Sequence, residues 1–235
     1  MTDRLRTLWD FEDLETTEAR FRDQLEQEAG AEGRAEVLTQ LARVEGLRDR
    51  FDSGEQLLRD AESLVGSHPR IDLERGRLLR SSGRGEEAFP LFVAAFEAAG
   101  GFIAGDAAHM AALVDPEGPH AWTARGLELA ERDPDAAYWA GPLLNNIGWH
   151  HVEAGEPEAA LVAFEQALAA RERGHDEHAT EIARYAVAKT LHALGRDDEA
   201  LPLLERAVAW TRQAGIRDQW FEEELAAVRA GLEQS

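Results

Sequence analysis

The sequence predicts an all-α protein built from about five similar helical hairpins. The clearest hairpin lies at residues 144–168, where two stretches with apolar residues at helical spacing flank Gly155 and Pro157. Gly155 ends the first helix, and Pro157 suits the first turn of the second, where no backbone N–H is needed. One hairpin cannot bury its own apolar faces, so it predicts neighbours of the same kind. No sustained alternation of apolar and polar residues indicates a β-strand.

Similar hairpins precede and follow this one. The first two aligned units start at residues 35 and 69, which are 34 residues apart. Small residues recur where paired helices must touch, as at Gly76 and Gly148, and large apolar residues fill the gaps, as at Phe92 and Phe164. The last unit starts 40 residues after the one before it, because a polar connector lengthens the chain there.

The predicted organisation has three parts. Residues 1–34 form an N-terminal helical cap or a degenerate repeat, and residues 215–235 form a C-terminal capping helix. In that last segment Phe221, Leu225 and Val228 follow one helical stripe, which suits a helix that closes an exposed apolar end. The repeat array spans residues 35–214, with units near 35–68, 69–102, 104–137, 141–174 and 181–214.

The best hairpin resembles a tetratricopeptide repeat. The likeness rests on seven spaced residues: Leu144, Ile147, Gly148, Gly155, Ala160, Phe164 and Ala167. The chain departs from the family pattern at Leu144, where Trp is usual, and at His151, where Tyr is usual. The resemblance implies a right-handed α-solenoid in which the first helix of each unit lines a concave groove. It also implies a non-catalytic scaffold that binds a peptide or protein segment in that groove.

The groove positions implied by the resemblance carry the candidate binding residues. They are Arg43, Arg77, Arg80, Asn145, Trp149, Tyr185, Lys189 and His192. Over all groove positions five cations stand against three carboxylates, although the whole chain has a net charge of −21. We therefore predict a locally basic groove that binds an acidic peptide segment or a terminal carboxylate, because arginine offers forked donors for carboxylates. The alternative is that these cations pair with nearby Glu and Asp side chains.

Composition limits the other functions. The chain has 46 acidic and 25 basic residues. This excess of negative charge argues against nucleic acid and anionic membrane surfaces as partners. No apolar run approaches the roughly 18 residues of a membrane span, and the N-terminus lacks an apolar signal region. The chain has no cysteine, so disulfides and thiol chemistry are excluded. Together these features predict a soluble cytoplasmic protein.

No pattern predicts catalysis, a cofactor or a metal site. The chain lacks the Gly-x-Ser-x-Gly, phosphate-loop, dinucleotide and His-Glu-x-x-His motifs. His150 and His151 are adjacent, so they do not converge on one ion from a helix, and His175 and His178 lie in a polar connector. The chain is therefore predicted not to be an enzyme. The alternatives to a scaffold are a homodimerisation module, or a ligand sensor or enzyme accessory domain.

Overall fold

All regular structure in the described part of the chain is helical. The computed structural model describes residues 4–174, 176–216 and 218–234. The α-helices are α1 (Leu14–Gln27), α2 (Ala31–Leu47), α3 (Phe51–Val65), α4 (Pro69–Ser81), α5 (Gly85–Ala98), α6 (Gly101–Ala112), α7 (His120–Arg132), α8 (Ala140–Glu153), α9 (Pro157–Glu172), α10 (Glu177–Ala193), α11 (Asp197–Ala214) and α12 (Gln219–Gln234). Two short 3-10 helices span Arg6–Leu8 and Ala137–Trp139. Among these described helices, none combines the length and apolar character that a membrane span requires.

The helices pair in sequence order into five hairpins, α2–α3, α4–α5, α6–α7, α8–α9 and α10–α11. Their first helices start at residues 31, 69, 101, 140 and 177. The aligned units of the sequence start at residues 35, 69, 104, 141 and 181. One further helix precedes the hairpins and one follows them. The predicted fold class, an α-solenoid of helical hairpins with a helix at each end, is confirmed.

The chain divides into two compact units, Met1–Trp139 and Ala140–Ser235. The first unit contains α1 to α7, and the second contains α8 to α12. Each unit has its own hydrophobic core. The largest buried side chains of the first core include Phe21, Leu58 and Ile71. Those of the second include Phe164, Leu204 and Val228.

Two glycines allow the closest contacts between paired helices. A methyl group at Gly76 on α4 would lie 2.5 Å from Phe92 Cε1 on α5, and one at Gly148 on α8 would lie 2.3 Å from Phe164 Cε1 on α9. Both phenylalanine side chains are fully buried. Because such a contact leaves no room for a side chain, the small and large residues of the repeat set how closely each pair packs.

Pro69 and the capping residue His68 determine where α4 begins. Pro69 is its first residue, and the His68 ring accepts a hydrogen bond from the Arg70 backbone N–H at 3.2 Å. Proline at this position has no helical hydrogen bond to lose, and the cap satisfies one of the free amides of the first turn. Arg70 and Ile71 are therefore held on the first turn of α4.

Candidate functional site

The first helices of the three hairpins of the N-terminal unit form a row. Helix α4 packs against both α2 and α6. The N-terminal parts of these helices border a groove of about 590 Å³. Its lining includes Glu28, Glu32, Glu36, Thr39, Arg70 and Ile103. Glu36, Thr39 and Arg70 occupy positions that the repeat pattern assigns to the groove.

A short segment of the same chain that precedes α1 borders this groove. This segment, residues 4–13, is called the arm below. Its Arg4 lines the groove and binds two carboxylates: Nη1 donates to Glu28 Oε1 at 2.7 Å, and Nε donates to Glu36 Oε2 at 2.6 Å. The hydrogen bond from Arg4, followed by one from Gln24, lowers the pKa of Glu28. Glu36 also pairs with Arg70 Nη2 at 3.1 Å, which links the arm to α4.

Apolar and aromatic contacts continue the arm along α2. Leu5 is only 2% exposed and belongs to the core of the unit. Trp9 Nε1 donates to Gln40 Oε1 at 3.0 Å, and the Trp9 ring stacks on Phe11 with centroids 4.7 Å apart. The Arg43 guanidinium lies 5.2 Å from the centre of the Trp9 ring and 5.5 Å from that of Phe11. Arg43, a predicted groove residue, is thus in contact with the chain's own aromatic rings.

The arm also contacts a second part of the same unit. Arg6 Nη2 donates to Tyr138 Oη at 3.3 Å, and the guanidinium lies 4.6 Å from the centre of the tyrosine ring. Tyr138 belongs to the 3-10 helix Ala137–Trp139, which packs against α6. Since Arg4 and Arg6 are two residues apart, the arm joins α2 to the side of the row formed by α6.

Arg77 and Arg80 lie one turn apart on α4 and differ completely in environment. Arg77 has 12% of its side chain exposed, and it donates to Glu74 at 2.9 Å and to Asp106 of α6. Burial acts to lower the pKa of Arg77, but the charges of Asp106 and Glu74 outweigh it and raise that pKa. Arg80 is exposed and forms no ion pair within residues 4–174, 176–216 and 218–234.

In the C-terminal unit, α12 contacts two predicted groove residues of α10. Tyr185 is 7% exposed and stacks on Phe221 with ring centroids 4.8 Å apart. Lys189 Nζ donates to Tyr185 Oη at 3.2 Å and lies 3.6 Å from Glu224 Oε2. Burial acts to lower the pKa of Lys189, but the contacts with Tyr185 and Glu224 raise it overall. Tyr185 is therefore buried, whereas Lys189 has contacts within the unit and still has 46% of its side chain exposed.

The other three predicted residues of this unit are also at least partly exposed. Trp149 on α8 is 36% exposed, with its ring edge against Phe164 at 5.1 Å between centroids. Asn145, one turn earlier, is partly exposed. His192 is partly exposed as well, and its Nδ1 lies 2.6 Å from Asp197 Oδ1.

The described histidines contact neighbouring side chains and do not converge on one metal ion. Among the described residues, no group of three or more His, Asp or Glu side chains could hold a metal ion. His151 Nδ1 lies 2.7 Å from Glu156 Oε2, and the His178 ring stacks on Trp210 with centroids 5.5 Å apart. His175 lies outside the described residues.

Sequence reasoning missed the contacts of the arm with α2 and the buried position of Arg77. The cluster of Leu5, Leu8, Trp9 and Phe11 showed that the arm is apolar, but the repeat register does not extend to it. For Arg77 a signal was available, because Asp106 lies in the middle of α6, the first helix of the next hairpin. Comparing charges on neighbouring first helices would have predicted an ion pair between Arg77 and Asp106.

Comparisons with solved structures show the fold. BtubC (BKLC) from P. vanneervenii matches with a TM-score of 0.69 and 18% identity over 87% of this chain and 94% of that chain. The apo form of the quorum sensor NprR from B. thuringiensis matches with a TM-score of 0.62 and 15% identity over 95% of this chain. The APC/C hetero-tetramer Cut9-Hcn1 matches with a TM-score of 0.61 and 10% identity over 97% of this chain. The chain spans 66% of the NprR chain and 42% of the chain matched in Cut9-Hcn1.

Sequence comparison identifies one repeat. No curated protein matches the chain in sequence. Residues 143–179 match the family model described as tetratricopeptide repeat. This range contains most of α8, all of α9 and the seven spaced residues from which the resemblance was inferred. The predicted resemblance is confirmed over this range: residues 143–179 contain a tetratricopeptide repeat.

Proposed function

We propose that the chain is a non-catalytic interaction scaffold that binds a peptide or protein segment on the first helices of its hairpins. The observation that carries this proposal is the groove of about 590 Å³ on α2, α4 and α6. A segment of the same chain, the arm, already lies beside it, so the groove offers side-chain contacts that a peptide segment can use. A row of similar helices also lets one partner contact several repeats at once.

The structural neighbours support an interaction role for this type of fold. NprR is described as a quorum sensor, and Cut9-Hcn1 as a hetero-tetramer of the APC/C. These are properties of those proteins, and they make signal binding and assembly the first functions to test here. The cytoplasmic location, the lack of nucleic-acid and membrane partners, and the homodimer alternative stay predictions from the sequence.

We further propose which predicted groove residues contact the partner. Arg80 in the N-terminal unit, and Asn145 and Trp149 in the C-terminal unit, are accessible on first helices. The other five have contacts inside their own unit: Arg43, Arg77, Tyr185, Lys189 and His192. The preference for an acidic segment therefore depends on Arg80, and it applies to the part of α4 where that side chain lies.

Selection from a displayed random peptide library, using the intact chain as bait, tests this function without a known partner. The affinity of the enriched peptides is then measured by calorimetry. We expect Arg80→Glu, or the pair Asn145→Ala and Trp149→Ala, to weaken binding by about tenfold or more, as loss of a central contact does. The acidic preference would be established if replacing acidic residues of the enriched peptides weakens their binding to the wild type but not to Arg80→Glu.

A matched control lies on the opposite helix of a hairpin. Val162 is 54% exposed on α9, a second helix, so Val162→Ala should leave the affinity unchanged. A library that yields no enriched sequence, or peptides that bind equally to all of these variants and to Glu36→Arg in the groove, would contradict binding on the first helices.

A further inference from the structure

We propose that the groove of the N-terminal unit selects partner segments that combine arginine, leucine and tryptophan, the chemistry of the chain's own arm. The arm holds this site until such a partner displaces it. This inference rests on the proposed function, and it names the partner class for the carboxylate-rich end of the groove.

The charges at this end of the groove fit a guanidinium. Apart from Arg4, the charged side chains that line it in the described part of the chain are the carboxylates of Glu28, Glu32 and Glu36 and the guanidinium of Arg70. Release of the arm would thus leave three negative charges and one positive charge. Arg4 bonds Glu28 and Glu36 through different nitrogens at 2.7 and 2.6 Å. A planar fork can reach both carboxylates at once, whereas a lysine ammonium is a single point charge.

A buried acceptor on α2 fits an indole. Gln40 is only 2% exposed, and its Oε1 accepts the hydrogen bond from Trp9 Nε1. A buried amide oxygen that loses its donor pays a desolvation cost, so this position favours a side chain with an N–H at the end of an aromatic ring. Arg43 adds a cation over the ring face. Leu5, next to the arginine anchor, supplies the apolar contact.

Leu5 is the one buried side chain of the arm, and the others are exposed or partly exposed, which makes exchange feasible. Leu8 and Trp9 pack against the core of the unit, and the Asp10 backbone forms two hydrogen bonds with the Thr17 hydroxyl. The Arg4 side chain is 45% exposed and Phe11 is 60% exposed, while Leu5 is fully buried. Exposed ion pairs contribute little net free energy. The covalent link nevertheless keeps the arm at an effective concentration of roughly millimolar, so the intact chain should bind a competing segment weakly.

The test uses the full-length chain and a fluorescein-labelled peptide of residues 4–13, RLRTLWDFED. The arm variant carries Arg4→Ala, Leu5→Ala and Trp9→Ala, which removes the anchors and leaves the residues of α2, α4 and α6 that line the groove unchanged. Fluorescence anisotropy should show that this variant binds the peptide about tenfold or more tightly than the wild type. Adding Glu36→Arg to the arm variant should abolish that gain, because the carboxylate pair is lost.

The matched control is Glu26→Arg in the arm variant. Glu26 is exposed on α1 and does not line the groove, so the peptide should bind this protein as tightly as the arm variant. A scrambled peptide of the same composition should bind about tenfold more weakly, since specificity comes from the order of the anchors. Circular dichroism establishes that each variant is folded. If the triple variant is unfolded, Arg4→Ala alone is used, with a gain of about threefold expected.

Several results would overturn the inference. A folded arm variant that binds the peptide no better than the wild type excludes a competing arm. Equal binding of the scrambled peptide, or binding that survives Glu36→Arg, excludes the proposed anchors. A dimer seen by sedimentation for the wild type but not for the arm variant would make a second copy the occupant, which contradicts a separate partner. If library peptides depend on Arg80 but ignore Glu36, the scaffold function stands and the arm-like partner does not.

Discussion

The two terminal segments each lie on the first helix of a hairpin in their own unit, but they are held differently. The arm contacts α2 through hydrogen bonds, ring contacts and one fully buried side chain, Leu5. Helix α12 packs on α11 and α10 through Phe221, Leu225 and Val228, which are 2%, 6% and 0% exposed. Buried apolar area dominates folding free energy, whereas exposed polar contacts add little. We infer that α12 is part of the fold, and that the arm behaves as a bound segment.

Replacing an anchor of α12 gives the largest expected effect. Phe221→Ala should lower the free energy of unfolding by about 3–5 kcal/mol, because it removes a buried ring and leaves a cavity between α12 and Tyr185. Urea denaturation followed by circular dichroism measures the change. The neighbouring Trp220 is 71% exposed, so Trp220→Ala should change this free energy by less than about 0.5 kcal/mol. Equal effects of the two substitutions would contradict the role of α12 as part of the fold.

Substitutions of the arm's anchor residues should lower the free energy of unfolding by less than those of α12, and their effects should not add. Leu5→Ala should lower the free energy of unfolding by about 1–2 kcal/mol, below the usual cost of a buried leucine, because the arm can detach before the unit unfolds. Once it is detached, a second change has little left to remove, so adding Trp9→Ala should cost less than about 0.5 kcal/mol more. Hydrogen exchange of the arm amides provides the direct measurement.

Large and additive effects of the arm substitutions would contradict a detachable arm. If Leu5→Ala and Trp9→Ala each cost several kcal/mol and their costs add, the arm unfolds only with the whole unit. The arm would then be a structural cap like α12, and displacement by a partner would require unfolding.

The sequence predicted the helix pairs because their packing repeats along the chain. Gly76 with Phe92 and Gly148 with Phe164 form the same contact at the same repeat positions, and such a pattern is visible without coordinates. The candidate site was only partly predictable. Repeat position predicts which face of the helix a residue occupies, but it does not predict what another segment places on that face. Arg43 and Tyr185 show this, since rings of the arm and of α12 contact them.

The ion pair between α10 and α12 should contribute little. Lys189 is 46% exposed and its Nζ lies 3.6 Å from Glu224 Oε2. Lys189→Met should therefore change the free energy of unfolding by less than about 1 kcal/mol. A double-mutant cycle with Glu224→Gln, measured by urea denaturation, isolates the pair. A coupling energy above about 2 kcal/mol would show that charge, and not only apolar burial, holds α12.

The smallest expected effect is a loosening of the arm in acid. The hydrogen bond from Arg4, and then that from Gln24, lowers the pKa of Glu28 from its ordinary value of 4.5. Since the folded pKa is the lower one, this contact stabilises the docked arm above pH 4.5 and is lost as the pH falls through the lowered pKa. The indole N–H resonance of Trp9, assigned by its loss in Trp9→Phe, should therefore shift below pH 4.5 toward that of the detached arm.

In Glu28→Gln the shift of the Trp9 resonance below pH 4.5 should be absent, because the neutral amide does not titrate. A step that persists in that variant would assign the change to another carboxylate, and the Arg4 contact with Glu28 would not be the acid-sensitive link. The indole N–H resonance of Trp220 provides the comparison within the same titration. It reports on α12, which apolar side chains hold in place, and it should stay unchanged over the range in which the arm loosens.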